Sequence, residues 1–253
     1  MPPRFFVFSF SSDISFNNLT GKIPPSLSEL VLTDYIFLME NKLTGPMPGW
    51  VLSSTKNVDV SYNHFTWDRV SAPKKCEQDP TNVVESYSSI TNEQSNIHPC
   101  LRKDFPCTKS YEQQICSLYI NCGDYDVTVN NTNYEGDTER KGPSSYYNAG
   151  NWAFSSTGAF VYDIRYPNTY ILSNTSNLNN ISTVNTALYT KARTAANSLT
   201  YYGLCLMNGH YTVRLHFAEI VFTEYSPRKR VFDVYVQNFT VELHDGLSRQ
   251  RSS

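Results

Sequence analysis

A short pattern of apolar and polar residues recurs along the first third of the chain. Its spacing is much longer than one turn of a helix or the length of one strand. Three stretches align, starting at Asp13, Phe37 and Asp59, and each has an asparagine at its fifth position and an apolar residue two positions later. The asparagines stand at positions 17, 41 and 63, so the spacing is 24 and then 22 residues. This period predicts a solenoid in which each unit contributes one short strand to a stack.

Each repeated position has a physical role in such a stack. Ile14, Leu38 and Val60 are predicted to point inward from the strands, and the asparagine side chains to hydrogen-bond neighbouring backbone. The Leu-Thr-Gly-x-Ile-Pro sequence after Asn18 resembles the plant subtype of leucine-rich repeats, so we predict about three repeats in residues 1–68. The strand face, which often binds partners in this family, is expected to be exposed and simply solvated at Phe37, Met39, Asp59, Ser61 and Tyr62.

The pattern stops after Trp67, and polar residues with Ser, Asn, Lys and Pro dominate residues 69–115, which predicts a linker. From residue 116 onward, short runs of alternating apolar and polar residues separated by turn residues predict an all-β sandwich. Tyr211–Phe217 has the cleanest alternation of apolar and polar residues, and it follows the turn signal Asn208-Gly209. Further strands are predicted in residues 117–122, 159–164 and 231–236.

Composition favours the secretory pathway over a reduced cytosolic protein with coincidental glycosylation sequences. Net charge is only −2 and charged residues make up 17%, so a basic nucleic-acid-binding surface is not expected. Six cysteines occur together with Asn-x-Ser/Thr glycosylation sites at Asn18, Asn130, Asn174, Asn180 and Asn238. No apolar stretch approaches the roughly 18 residues of a membrane span. Residues 1–12 resemble a signal peptide with too short an apolar core, which suggests a truncated gene product.

The cysteines are expected to form disulfides rather than a zinc site, because no Cys-x-x-Cys pair is present. Six cysteines permit about 15 connectivities, among which the sequence does not choose. We predict a short Cys100–Cys107 bridge as one pair and a strand-linking Cys122–Cys205 bridge as another, with no free thiol.

Several motifs after residue 116 resemble the malectin domain, in the version that follows leucine-rich repeats in plant receptor-like kinases. They are Ile120-Asn-Cys-Gly123, Tyr134-Glu-Gly-Asp137, Asn151-Trp-Ala-Phe-Ser-Ser-Thr-Gly158, Leu188-Tyr189, Asn208-Gly-His-Tyr-Thr-Val213, His216-Phe-Ala-Glu-Ile220 and Arg230-Val-Phe-Asp-Val-Tyr235. The resemblance implies a jelly-roll type β-sandwich in residues 116–253. In malectin itself this fold binds glucose disaccharides, and the corresponding pocket residues here would be Tyr147, Tyr189, Tyr201 and Tyr202.

The chain departs from the malectin pattern after Gln237, where the family continues through further strands and an acidic pocket residue. The domain is therefore expected to be incomplete at its C-terminus, and carbohydrate binding by this chain to be weak or absent. Kinase signatures are missing, although full-length relatives would be Ser/Thr protein kinases.

The predicted function is that of an extracellular, cell-surface ligand-binding region of a plant receptor-like kinase, with a carbohydrate or an extracellular protein or co-receptor as partner. No cofactor, metal or catalysis is expected. The alternatives are a truncated product without independent function and a secreted glycoside hydrolase using paired carboxylates among Asp124, Asp126, Glu135 and Asp137.

Overall fold

The structure is a computed structural model that describes residues 10–68, 73–78, 80–88, 97–103, 107, 114–139, 142–160, 170–173, 186–217, 220, 231–237 and 239–240. The strands are β1 (Phe10–Asp13), β2 (Thr20–Gly21), β3 (Thr33–Phe37), β4 (Lys42–Leu43), β5 (Asn57–Asp59), β6 (Glu77–Gln78), β7 (Thr81–Asn82), β8 (Ile120–Cys122), β9 (Val127–Val129), β10 (Thr132–Asp137), β11 (Ser145–Asn148), β12 (Trp152–Thr157), β13 (Ile171–Ser173), β14 (Lys191–Arg193), β15 (Ser198–Gly203), β16 (Tyr235–Val236) and β17 (Phe239–Thr240). The helix α1 covers Gly49–Ser53, and short 3-10 turns cover Pro25–Glu29, Pro99–Leu101 and Thr186–Tyr189.

The described residues are mainly β, as the sequence predicts. The chain divides into two compact units, residues 1–220 and residues 221–253. In the second unit β16 and β17 form an antiparallel hairpin, with a left-handed residue at Gln237 between them. Apart from the predicted strand at residues 231–236, the features described below belong to the first unit.

The strands of the N-terminal third form one sheet in the order β1-β3-β5-β7-β6, in which only β6 runs antiparallel. We call residues 10–103 the repeat segment. Its inward-pointing residues Ile36, Leu38, Val58 and Val60 are at most 2% exposed and pack with Leu43, Met47, Val51 and Phe65. The predicted inward positions are therefore confirmed at Leu38 and Val60. Ile14, in the first of the repeats, is instead 37% exposed.

The asparagine side chains connect successive units, as predicted. Asn41 Oδ1 accepts hydrogen bonds from the backbone N–H of Asn17 and Leu19 at 3.1 and 2.9 Å, and its Nδ2 donates to Ile14 O at 3.1 Å. Asn63 repeats the pattern one unit later, accepting from Leu43 N at 3.1 Å and donating to Leu38 O at 3.0 Å. Backbone groups that would otherwise be buried without a partner are thus paired.

The segment predicted as a linker instead continues the stack in its described part. Strand β7 pairs in parallel with β5, and Val83, Val84 and Leu101 are fully buried in the same core. The backbone angles show the same period. A residue with positive φ recurs at Phe16, Glu40, Tyr62 and Glu85, at intervals of 24, 22 and 23 residues. Residues 81–88 thus form a fourth unit, and residues 97–103 lie against it through hydrogen bonds such as Tyr87 N to Leu101 O at 3.1 Å.

Residues 114–217, the second β region, contain two three-stranded sheets. In one sheet β10 pairs in parallel with β8 and antiparallel with β9, across a turn in which Asn130 and Asn131 are left-handed. In the other sheet β12 lies between β11 and β15, antiparallel to both. Gly123 follows β8 with φ +101°, and a Cβ there would lie 2.6 Å from the backbone N of Arg193, so glycine permits this close approach.

Two predicted strands differ from the structure. Residues 211–217 form no strand among the described residues, and Tyr211, Val213 and Leu215 are 43 to 53% exposed. Alternation indicates a strand only where a neighbour pairs with it and covers its apolar face, and no described strand does so here. Of residues 231–236 only Tyr235–Val236 form a strand, and residues 161–164 lie outside the described residues.

The disulfide pairing predicted from the sequence is wrong. Cys100 bonds to Cys76, and Cys107 bonds to Cys205, while Cys116 and Cys122 are free thiols. Cys76 and Cys100 meet because residues 81–88 pack against residues 97–103. The predicted linker would not bring these cysteines together. The expectation of no free thiol is also corrected.

The two free thiols should differ sharply in reactivity. Cys116 is exposed, whereas burial raises the pKa of the Cys122 thiol to about 11. Because the thiolate is the nucleophile, we expect one thiol per chain to react with a disulfide reagent at pH 8 in native buffer and a second only in denaturant. The Cys116→Ser variant should show none in native buffer. Two fast thiols in the folded protein would contradict this environment for Cys122.

Of the predicted glycosylation sites, Asn18 and Asn130 are exposed, and Asn174, Asn180 and Asn238 lie outside the described residues. Within the described part of the chain, none of the helices has the length and apolar character to cross a membrane.

Candidate functional site

The strand face of the repeat segment is covered, contrary to the expectation that it is exposed to solvent. We use this name for the outward side chains of β1, β3, β5 and β7 and of the residues that follow them. Phe37 and Met39 are 1% exposed, Asp59 and Ser61 are fully buried, and Tyr62 is half-buried. The cover is the second β region, because Tyr146 and Ala153 of its sheet β11-β12-β15 belong to the same buried cluster as the repeat core.

Polar contacts join the strand face to this cover along its whole width. Asn57 Nδ2 donates to Pro143 O at 2.8 Å, and Asn82 Nδ2 donates to Ser155 Oγ at 3.2 Å. Asp13 Oδ2 accepts from Asn197 Nδ2 at 3.0 Å, and the hydroxyl groups of Tyr62 and Tyr202 hydrogen-bond to each other. Polar side chains on a strand face, which suggest a solvated surface in the sequence, here hold two parts of the chain together.

Asp59 lies at the centre of this interface. Its Oδ1 accepts hydrogen bonds from Ser61 N at 3.0 Å and Ser61 Oγ at 2.5 Å, whereas no hydrogen bond reaches its Oδ2 within the described residues. Burial raises the pKa of Asp59 to about 6, and its interactions with Ser61, Ser144 and Asn82 offset only part of that rise.

The covering sheet presents two chemically different faces, because successive residues of a strand point to opposite sides. Tyr201 and Tyr202 are neighbours on β15 and illustrate this separation. Tyr202 pairs across the sheet with Ala153 and contacts the strand face, whereas Tyr201 pairs with Phe154 and points away from it. All six residues of β12 are buried, as expected for a central strand with both faces covered.

The face that carries Tyr201 holds a row of aromatic rings. Tyr147 contacts Trp152 and Phe154 with ring centroids 5.9 and 5.8 Å apart, and Tyr201 lies 6.1 and 6.0 Å from the same two rings. The Trp152 indole N–H donates to Glu135 Oε2 at 2.8 Å. Tyr147 and Tyr201 are therefore brought together, as part of a packed layer.

A buried ion pair lies over this row. The Arg193 guanidinium sits 4.2 Å from the centroid of Phe154 and forms two hydrogen bonds with the Asp137 carboxylate, one of them from Nη2 to Oδ1 at 2.7 Å. Both side chains are at most 1% exposed. Tyr201 Oη donates to Asp137 Oδ2 at 2.5 Å, and burial, with the nearby Cys122 and Asp137, raises the pKa of Tyr201 well above its usual range.

Tyr189 lies in a different environment, at an open surface. Its hydroxyl lies 2.8 Å from His216 Nδ1, and the two rings are 5.8 Å apart. The next residues, Thr190 and Lys191, bind the Asp124 carboxylate at 3.1 and 2.6 Å, and the Lys191 ammonium stands 5.0 Å from the centroid of the Tyr125 ring, which is 66% exposed. We call Tyr125, Tyr189, Lys191 and His216, with Asp124, the Tyr189 patch.

Partial burial would raise the pKa of Asp124, but the hydrogen bonds from Lys191, the Tyr125 backbone and Thr190 outweigh it and lower the pKa. The patch therefore keeps a carboxylate, an ammonium group and two partly exposed aromatic rings together at one surface. Sequence reasoning identified Tyr189 but missed Tyr125 and His216; an Asp-Tyr pair directly after a Gly turn is the only signal it offered for Tyr125.

The four predicted pocket tyrosines thus do not form one pocket. Tyr147 and Tyr201 share the aromatic row, Tyr202 belongs to the opposite face of the sheet, and no ring contact within the described residues joins Tyr189 to any of them.

The carboxylates considered for glycoside hydrolysis each have a partner in the fold. Asp124 binds Lys191 and Asp137 binds Arg193; Asp126 accepts from Gly136 N at 2.6 Å, and Glu135 accepts from Trp152. Potential metal ligands also meet, since the side chains of Cys76, His98 and Cys100 lie within 4.8 Å of one another. The Cys76–Cys100 bond occupies both sulfur atoms, which leaves no thiolate for a metal.

Comparison with known proteins identifies the second β region. Residues 116–245, just over half of the chain, match the Malectin domain. Probable LRR receptor-like serine/threonine-protein kinases of Arabidopsis thaliana are similar over most of the chain: one is 39% identical over 94% of it, a second 40% over 89% and a third 44% over 72%. The chain spans about a fifth of the length of these curated relatives, at 22, 22 and 19%.

The matched part of the relatives is their malectin-containing ectodomain, which is non-catalytic. No solved structure matches the chain. The match over residues 116–245 shows that this chain belongs to the malectin domain family, in the form found in plant LRR receptor-like kinases.

Proposed function

We propose that this chain is the extracellular ligand-binding region of a plant cell-surface receptor, in which a leucine-rich-repeat segment and a malectin domain act as one body. The observation that carries the proposal is the malectin match joined to a repeat segment whose strand face is buried against it. The period of the left-handed residues and the asparagine hydrogen bonds support leucine-rich repeats as the identity of that segment.

The ligand class that we propose is a short oligosaccharide, bound at the Tyr189 patch. Sugar recognition requires an accessible aromatic face for the C–H surface of the ring, and charged or hydroxyl groups placed for its hydroxyls. Tyr125 and Tyr189 supply the rings, and Asp124 and Lys191 supply acceptor and donor. A protein ligand on the strand face is disfavoured, because the malectin sheet covers that face.

Binding at such an open surface should be weak. Two partly exposed rings enclose little of a disaccharide, so we expect saturable binding of glucose disaccharides at about millimolar Kd, or about −4 kcal/mol. The Tyr189→Ala variant should weaken binding about tenfold or more, because it removes one ring face and the contact with His216. The measurement is isothermal calorimetry or ligand-observed NMR on the purified chain.

The matched control is Phe16→Ala, which removes an exposed aromatic ring, 54% accessible, from the repeat segment. Binding should be unchanged in that variant. The proposal is overturned if no glucose disaccharide binds at tens of millimolar, or if both variants weaken binding equally.

A further inference from the structure

A carboxylate buried between two parts of a chain links their contact to protons. Asp59 is fully buried, at the centre of the strand-face interface, and one of its oxygens receives no hydrogen bond within the described residues. Closing the interface around an ionised Asp59 removes a charge from water without supplying an opposite charge, which is unfavourable. Closing it around a protonated Asp59 avoids that penalty.

The described groups around Asp59 are neutral and supply no opposite charge to its carboxylate. On its own strand and the next residues stand Asn57 and Ser61; β3 places Phe37 beside it and β7 places Asn82. From the malectin side the Ser144 hydroxyl interacts with the Asp59 carboxylate; like Asn82 it is a neutral group that lowers the pKa of Asp59 without supplying an opposite charge. Within the described residues no lysine, arginine or histidine forms an ion pair with Asp59.

The other titratable groups of the interface are Tyr62, Tyr146, Tyr202 and Glu85. Burial raises the pKa of Tyr62 to about 12 and that of Tyr202 well above its usual range, and it also raises the pKa of Tyr146, so these tyrosines stay neutral at moderate pH. The charge of Glu85 adds to the raised pKa values of Tyr62, Tyr146 and Tyr202. Asp13 occupies the equivalent position on β1, but its side chain is exposed.

We propose that Asp59 makes the contact between the repeat segment and the malectin domain proton-dependent, so that the interface is tighter in acid and looser near neutral pH. The direction follows from the raised pKa: the contribution of Asp59 to stability is complete below its ordinary value of 3.8, falls as pH rises, and stays at the lower level above about 6.

The test is hydrogen–deuterium exchange of β5 and β12 at pH 5 and pH 7, corrected for the intrinsic exchange rates. In the wild-type chain we expect the opening constant of these strands to rise about tenfold between the two pH values. In Asp59→Asn, which keeps the shape and loses the charge, the rise should be less than about twofold, and the strands should be better protected than wild type at pH 7. Glu29→Gln, which removes an exposed carboxylate of the repeat segment, is the matched control and should behave like wild type.

A second measurement needs no variant: the carboxyl carbon of Asp59, assigned through bonds in labelled protein, should titrate between pH 5 and 7. The proposal is overturned if that carbon titrates below pH 4.5, if the wild-type opening constant does not rise with pH, or if Asp59→Asn shows the same rise as wild type.

Discussion

Replacing Arg193 by methionine is expected to lower the free energy of unfolding by about 3 to 5 kcal/mol. Among the described residues, the substitution leaves the buried Asp137 carboxylate with only the Tyr201 hydroxyl as a side-chain donor. An uncompensated buried charge is far more costly than a missing contact. The measurement is urea unfolding of the purified chain at neutral pH, followed by fluorescence, since Trp152 lies in the adjoining aromatic row.

The chain supplies a matched control for Arg193→Met two residues earlier. Lys191 pairs with Asp124 at 2.6 Å, but these side chains are 31 and 16% exposed, so water screens their interaction. Lys191→Met should cost less than about 1 kcal/mol. Adding Asp137→Asn to Arg193→Met should recover part of the loss, because the unpaired charge is then removed. Equal losses for Arg193→Met and Lys191→Met would show that burial does not distinguish the two pairs.

Replacing both Cys107 and Cys205 by alanine is expected to lower the free energy of unfolding by about 4 kcal/mol. The bond joins residues 98 positions apart, so without it the unfolded chain gains the freedom of a long loop. In the folded chain the same bond lies beside the pairing of Ile115 with Leu206, where Ile115 N donates to Cys205 O at 3.0 Å. Urea unfolding under non-reducing conditions gives the loss.

Cys116→Ala is the control for the missing bridge, since Cys116 is an exposed free thiol close in sequence to Cys107. Its effect should stay within about 0.5 kcal/mol. If the double variant loses less than about 1 kcal/mol of unfolding free energy, the disulfide does not constrain the unfolded chain as the length of its loop implies.

The repeat segment was predictable from sequence where its pattern is complete. Asn41 and Asn63 occupy buried positions that tolerate few other side chains, because each pairs several backbone groups at once. The fourth unit escaped prediction because Ser86 stands in the asparagine position and no Leu-Thr-Gly sequence follows it. Its strand residues, Thr81 and Asn82, are polar but become buried against neighbouring strands, which local pattern does not reveal.

The candidate site was only partly predictable, because side-chain direction in the malectin domain depends on strand register. Tyr201 and Tyr202 look equivalent in the sequence, yet a shift of one residue along β15 places them on opposite faces of the sheet. The Arg193–Asp137 pair joins residues 56 positions apart and has no local signal. The prediction of the disulfide partners failed for the same reason, because the pairing of the cysteines follows from long-range folding rather than from their spacing in the sequence.

The width of the covered strand face limits how such chains can change length during evolution. Asp13 on β1, Asn57 on β5 and Asn82 on β7 each reach a fixed point on the malectin domain. Inserting one unit between β3 and β5 would displace β1 by about 5 Å, the spacing of neighbouring strands, and would separate Asp13 from Asn197. Gain or loss of repeats is therefore expected only on the β1 side of the stack, while the units from β1 to β7 are inherited together with the malectin domain as one block.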